Sequence, residues 1–471
     1  MRLAATLSAM AAAAPGFAAT LEPASVLPSS LTLRITEVGK AGATRSGNNY
    51  ASPAADASGL WIADQTGTLY RSGADGTAAV LQAPDLPSEL VPNGREGFLE
   101  VAPTADGSAL YVLVTSDTLP SAAVPLAELP APLPGACCAD GRAVDDIYEI
   151  VPGNTQYQIL YRYTVEDGVP ADPQPVTALE VQYGSSAHRG GAMAVLPDGR
   201  LLLATGDNLP AGTDGRGAPQ DDGEHVGKLL LVDPSDGSIT VAAKGVRNVQ
   251  HLQIAGTAAG PVVVFGDIGG AVAEEVNAVP LADLLDTSEI ENFGWGRAAD
   301  GLAREGTFYI SPGVPLGAPA EALSLIPPDE EGFLQAIAQI GRTDPASPFA
   351  LSGPVVSDVS FDQIGILFAD LVSGSLFATT GDLAGTGQDV FDVSLVDADG
   401  IAVTLLELSA RSDRADPRFF LFADGSAGVL IESTATYYRL TEVAQRAAVP
   451  LPAGLLLLAS ALPLLLRRRR G

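Results

Sequence analysis

The sequence predicts an all-β protein, a β-propeller, and three observations lead there. Glycine and proline make up 51 and 35 of the 471 residues while only 17% are charged, a balance that favours turn-rich strands over long helices. Short apolar runs closed by Asp-Gly or similar turns recur along the chain. They include "GLWIADQTGTLYRSGADG" (59–76), "EGFLEVAPTADGSALYVLVTSD" (96–117), "GAMAVLPDGRLLLATGDN" (191–208), "GKLLLVDPSDGSITVAA" (227–243), "GILFADLVSGSLFATTGD" (365–382) and "FFLFADGSAGVLIEST" (419–434). Each reads as strand, tight turn, strand, with alternating or wholly apolar faces. Finally, the hairpins continue from 59 to 434, and radial repetition closes so many strands more readily than a sandwich.

Interruptions and ends are read the same way. The Pro/Ala-rich stretch 118–146 is an excursion between hairpins, and "PLADLLDTSEIENF" (280–293) and "PPDEEGFLQAIAQIGR" (327–342) are expected to be helical insertions. No linker divides the body, so 20–443 is one domain. Residues 1–19 combine an early arginine, an alanine-rich apolar run and a small-residue exit, as a secretory signal peptide does. At the far end, 447–471 holds an apolar run long enough to span a bilayer, followed by Arg467 to Arg470, which would stay cytoplasmic. With its Val449-Pro450-Leu451-Pro452-Ala453-Gly454 motif, this tail resembles the VPLPA-type sorting signals of Gram-negative bacteria, relatives of the PEP-CTERM class. The resemblance implies handling by an exosortase-like membrane enzyme. The expected location is the periplasm or outer cell surface, with initial anchoring in the inner membrane by the C-terminal helix.

Charge excludes one class of partner. The chain carries a formal −30, and without the five arginines of its two ends the body has 21 basic against 56 acidic residues. Such a surface repels nucleic acid and favours divalent cations. Cys137 and Cys138, the only cysteines, are adjacent and have no histidine nearby, so a zinc site is not expected there.

Chemistry concentrates around the histidines, of which there are three. His188 precedes a glycine pair in "AHRGGAMAVLPDGRLLLATGDN"; then follow "APQDDGEHVGKLLLVDPSDG", "AAKGVRNVQHLQI", "GDIGGAVAEEVNAV" and "ENFGWGRAADGLAREGTFY". In that order and spacing, clearest over 185–310, the chain resembles the soluble glucose/sorbosone dehydrogenases. That family implies a six-bladed propeller carrying pyrroloquinoline quinone (PQQ) with calcium. By the resemblance His188 is the general base that takes a sugar hydroxyl proton, a task suited to imidazole. Arg247 stabilises negative charge in the catalytic site, and Asn248 faces the cofactor. Gly269 and Gly270 belong to the loop whose carbonyls hold calcium, and Arg418 pairs with a PQQ carboxylate.

Departures from the family pattern matter equally. Val372 or Ser373 stands where the family supplies a lysine, Asp416 where better-characterised members carry a second arginine, and Ala187 where an acidic neighbour would orient the histidine. Plainer roles stand beside the catalytic ones. Arg247 is equally suited to bracing a carboxylate between blades, Trp295 to packing, Glu274 and Glu275 to a solvated face or to calcium, His225 to a metal, and His251 to a satisfied core position. Two functions follow. One is a PQQ- and calcium-dependent oxidoreductase acting on sugars; the other is a non-catalytic surface propeller binding calcium, polysaccharide or a protein partner.

Overall fold

The computed structural model describes residues 31–41, 53–64, 67–73, 78–81, 98–116, 119, 155–182, 188–207, 218–270, 272–296, 303–306, 308–310, 324–325, 333–341, 350–357, 360–361, 364–379, 383 and 388–443. The expected signal peptide, the sorting tail, the 118–146 excursion with Cys137 and Cys138, and Ala187 lie outside the described residues. Strands dominate what remains. In chain order they are β1 (Leu31–Lys40), β2 (Ala54–Asp56), β3 (Gly59–Ala63), β4 (Leu69–Ser72), β5 (Ala78–Leu81), β6 (Phe98–Pro103), β7 (Ala109–Ser116), β8 (Thr155–Glu166), β9 (Val169–Gln182), β10 (Gly190–Val195), β11 (Leu201–Thr205), β12 (Lys228–Val232), β13 (Ile239–Lys244), β14 (Val249–Thr257), β15 (Gly260–Asp267) and β16 (Ala273–Pro280). After α1 (Leu281–Leu285) come β17 (Glu291–Asn292), β18 (Ala303–Glu305), β19 (Phe308–Ile310), β20 (Ser324–Leu325), β21 (Ala338–Gly341), β22 (Leu351–Val355), β23 (Ile366–Asp370), β24 (Leu376–Thr379), β25 (Val390–Val396) and β26 (Ala402–Val403). The chain ends in α2 (Leu405–Leu408), β27 (Pro417–Leu421), β28 (Ala427–Ile431) and β29 (Thr436–Glu442).

These strands pair as antiparallel meanders: β2 to β5, β6 to β9, β10 to β13, β14 to β16 with β21, β22 to β25, and β27 to β29 with β1. Each meander's second strand is apolar at almost every position because it is buried on both faces. In β7, Leu110, Val112 and Val114 join the core shared with the preceding meander, while Tyr111 and Leu113 join the core shared with the next. β15 divides likewise, Val263 and Phe265 to one side and Val262 and Val264 to the other, and so does β23 with Leu367 and Ala369 against Ile366 and Phe368. The circle closes where Phe420, Leu430 and Tyr437 of the last meander pack on Leu60, Ile62 and Tyr70 of the first. Along the axis the first strands touch in the same cyclic order, β2 on β6, β6 on β10, β10 on β14, β14 on β22, β22 on β27, and β27 back on β2. The architecture is all-β and propeller-like.

Closure joins the two ends of the body. β1 runs antiparallel to β29 from Leu33↔Glu442 to Lys40↔Thr436, and parallel to β25 along Leu31–Arg34. It thereby gives both strands a hydrogen-bonding partner on an edge that would otherwise be open.

Both expected insertions differ in detail. The helix read over 280–293 is confined to α1, where Leu281 and Leu284 are buried, and Glu291–Asn292 instead lie parallel to β13. Within 327–342, Ala338–Gly341 form a strand rather than a helix, because the edge of β16 offers a ladder to a segment whose apolar pattern suits either state. No helix among the described residues is long and apolar enough to cross a membrane.

Leu33 has no exposure and sits on the closing strand in the core of β22 to β29. Leu33→Ala is expected to lower unfolding stability by about 2–5 kcal/mol. Urea titration checks this, with a lower midpoint and an unchanged slope.

Candidate functional site

The site assembles where the first strands of two neighbouring meanders begin. β10 and β11 pair with Gly190 opposite Thr205, and carrying that register two residues further sets His188 opposite Asp207. The side chains meet there: His188 Nδ1 lies 2.8 Å from Asp207 Oδ1. Two backbone features hold the imidazole in place. His188 itself is left-handed, at φ 60°, a conformation uncommon outside glycine. Across from it a Cβ on Gly206 would stand 1.7 Å from the His188 carbonyl oxygen, so only glycine allows the two segments to approach.

Asp207 is 1% exposed and uses both oxygens, the second accepting Trp295 Nε1–H at 2.8 Å. Its amide donates to the Arg247 carbonyl at 2.8 Å, tying the end of β11 to the approach to β14. Arg247 then reaches back: Nη2 lies 3.0 Å from His188 Nε2, Nη1 donates to the Ile268 carbonyl at 2.7 Å, and the guanidinium lies over the Trp295 ring at 5.3 Å. A guanidinium only donates, so Nε2 is the nitrogen with the lone pair and Nδ1 carries the proton given to Asp207. The contacts assign the tautomer: the bare nitrogen faces Arg247.

A second aspartate fixes the Arg-Asn pair. Asp267, the last residue of β15, accepts the Arg247 amide at 2.9 Å and the Asn248 amide at 2.7 Å. Burial, and then the neighbouring Glu275, push its carboxyl up to about 8. Asn248 turns its Oδ1 to the Gly190 amide at 3.0 Å, so it joins the two strand starts. The 268–270 loop lies close by. Gly269 donates its amide to Glu274 at 3.2 Å, and a Cβ on Gly270 would meet the Trp295 ring at 3.0 Å.

His188, Arg247, Asn248, Gly269 and Gly270 are thus brought together, while Arg418 is turned elsewhere. Its side chain is 14% exposed and gives Nε to Glu432 at 2.5 Å and Nη1 to Gln250 at 2.8 Å. Burial raises Glu432 to about 7, Arg418 opposing it. Asp416 accepts Arg414 at 2.7 Å, and at Val372 the turn is held by Asp370 through the amide at 3.0 Å. Glu274 and Glu275 are buried at 0% and 6% exposure, not solvated. Among the described residues no group of three or more His, Cys, Asp or Glu side chains forms a metal site, which covers His225 and both glutamates. Trp295 is packed, at 8% exposure, with its N–H on Asp207.

Asp207 and Asp267 escaped sequence reasoning, which sought an acid beside the histidine at Ala187. The available signal was "GD" at the ends of two successive hairpins, "LLLATGDN" and "VVVFGDIGG", together with the hairpin register that carries the first of them across to His188.

The fold is shared with sugar dehydrogenases of known structure. It matches the PQQ-bound form of aldose sugar dehydrogenase from Streptomyces coelicolor, with a TM-score of 0.53 and 16% identity over 87% of this chain and 98% of that one. A putative oxidoreductase (glucose dehydrogenase) from Thermus thermophilus matches with a TM-score of 0.53 and 16% identity over 87% and 99% of the two chains. The soluble aldose sugar dehydrogenase from Escherichia coli in its apo-form matches with 0.53 and 16% over 88% and 100%. The likeness is one of fold. No family model and no curated protein matches the chain.

Asp267 yields a test of this electrostatic arrangement. The folded protein keeps its proton up to about 8, whereas an unfolded aspartate releases it near 3.8. The stability this group contributes is complete below the lower value and falls as pH rises through the window, by up to about 1.4 kcal/mol per pH unit. Asp267→Asn keeps an acceptor for both amides and removes the proton. Its urea-derived stability is expected to gain steadily on that of the parent between pH 5 and 8.

Proposed function

We propose that this protein is an oxidoreductase of the soluble sugar dehydrogenase type, a six-bladed propeller that oxidises a sugar hydroxyl. One observation carries the reading: a buried aspartate orients a histidine whose unprotonated nitrogen faces a guanidinium. A hydroxyl that displaces the Arg247 Nη2–His188 Nε2 contact would give its proton to Nε2 and accept from Nη2. As the O–H bond breaks and Nε2–H forms, Arg247 meets the negative charge growing on oxygen, and Asp207 meets the positive charge growing on the imidazole. Trp295 keeps Asp207 in place and shields the guanidinium from water.

PQQ with calcium is the acceptor that the resemblance implies, and one match of fold is a PQQ-bound enzyme. When bound, it would supply the two-electron oxidation. The described residues do not fit its carboxylates. Arg418 is committed to Glu432 and Gln250, Asp416 brings negative charge, and the turn at Val372 offers no cation. Glu432 beside Arg418 is a buried acid as well, and an anion is disfavoured next to it. The proton-handling half of the reaction therefore stands on this chain's own residues, and no step is routed through PQQ. Export and sorting to the cell surface, through 1–19 and 447–471 and an exosortase-like enzyme, belong to the same proposal.

Dye reduction by the full chain, supplied with PQQ and calcium and a panel of aldoses, tests the reading. Sugar-dependent turnover is expected only with PQQ in large excess, because the residues that would pair its carboxylates are committed elsewhere. His188→Gln should lower kcat by about 10³-fold, and Asp207→Asn by about 10²-fold with little change in KM. Folded protein that binds a sugar or polysaccharide yet never reduces a dye would instead establish the non-catalytic surface propeller.

A further inference from the structure

A second site lies on the ring axis, beyond the strand starts that hold His188. A cavity of about 490 Å³ is lined by Glu100 of β6, Met193 of β10, His251 of β14 and Phe420 of β27, and it reaches the hairpin turns at Ala105 and Ala423. Between it and the His188 end stands the Gln250–Arg418–Glu432 bridge: Gln250 precedes His251 on β14, and Arg418 lies two residues before Phe420 on β27. The cavity opens toward the opposite face of the ring.

Two polar side chains in it lack partners. Glu100 is 4% exposed, and its only hydrogen bond among the described residues is from the Val101 amide to Oε1 at 3.0 Å, leaving Oε2 unmatched. His251, expected to be a satisfied core residue, makes no hydrogen bond among the described residues. Glu100 is buried and His251 half-buried, and polar groups withdrawn from solvent and left unpaired cost stability, so such a pair facing a common space points to a ligand. Burial, then Arg418, lowers His251 to about 4, and burial raises Glu100 well above the usual carboxylate range. The remaining acid of the lining, Asp56, is occupied by Trp61 Nε1 at 2.8 Å and by Arg71 at 2.5 Å.

We propose that this axial cavity binds a small uncharged phenolic ring, with its oxygens on Glu100 and His251 and its carbon face on the apolar wall of Met193 and Phe420. Volumes of this order are usual for small-molecule sites. A sugar would bring more hydroxyls than two polar side chains can satisfy, and burying the surplus is costly. An anion would face Glu100 without a free cation to balance it, and an organic cation would lie beside the Arg418 guanidinium, whose charge acts on both Glu100 and His251. The proposal is independent of the chemistry assigned to His188.

Ligand-observed NMR on the full chain, with hydroquinone as the probe and glucose and benzoate as controls, tests it. Hydroquinone should bind with a Kd of about 1 mM or tighter while the controls do not compete. Glu100→Leu and His251→Leu should each weaken binding about tenfold, the worth of one buried hydrogen bond. Ala105→Trp, an exposed turn position at the mouth, should abolish binding with an unchanged melting temperature, and His188→Gln should leave binding unchanged. Absence of binding to folded protein overturns the proposal. So does binding that survives both Ala105→Trp and His251→Leu, or equal binding of glucose or benzoate.

Discussion

Burial of every meander's second strand on both faces is the constraint from which the rest follows. A strand such as β7 or β15 cannot expose either side, so each sheet must find a neighbour on its left and on its right. The arrangement that satisfies all sheets at once is a circle, and β1 completes it by pairing with β29. Once the circle exists, the starts of the first strands converge near the axis. His188, Arg247 and Asn248 meet for that reason, although 59 residues separate the histidine from the arginine.

Hydrogen-bond register then does locally what the ring does globally. A two-residue extension of the β10–β11 ladder brings the histidine to its aspartate, and the end of β15 presents Asp267 to the amides of Arg247 and Asn248. Neither aspartate needs an adjacent partner in sequence. A one-residue slip of β11 would turn Asp207 to the other face and also drive the next residue's Cβ into the His188 carbonyl, which Gly206 alone accommodates. Register, glycine and aspartate are one device.

Much of the fold was legible because its signal is local. Alternation, Asp-Gly turns and wholly apolar second strands follow directly from how each residue is buried, and the hairpins at 59–76, 191–208 and 419–434 lie where their sequences place them. The helical reading of 327–342 failed because periodicity in a short apolar stretch does not distinguish a helix from an edge strand; the free edge of β16 decided it. At the site, the ordered motifs located His188, Arg247 and Asn248. They did not reveal that Arg418 turns to Glu432, because that choice depends on a carboxylate delivered by the following strand. Asp207 was missed for the same reason: its neighbour in space is set by pairing, not by adjacency.

Two chemistries with opposite demands meet around this axis. A proton-accepting histidine backed by an acid tolerates a strongly acidic protein, since Asp207 favours the imidazolium that forms when the base acts. A bound multiply charged anion does not, since each buried carboxylate nearby raises its cost. His188 with Asp207 and Arg247 suits the first demand, whereas Asp416 and the turn at Val372 offer nothing to the second. Arg418 does not serve the second demand either: its guanidinium ties β14 and β27 to the turn after β28 as a strut through Gln250 and Glu432. A residue type suited to holding a ligand's carboxylate here holds the protein's own, and it stands between the His188 end and the cavity beyond.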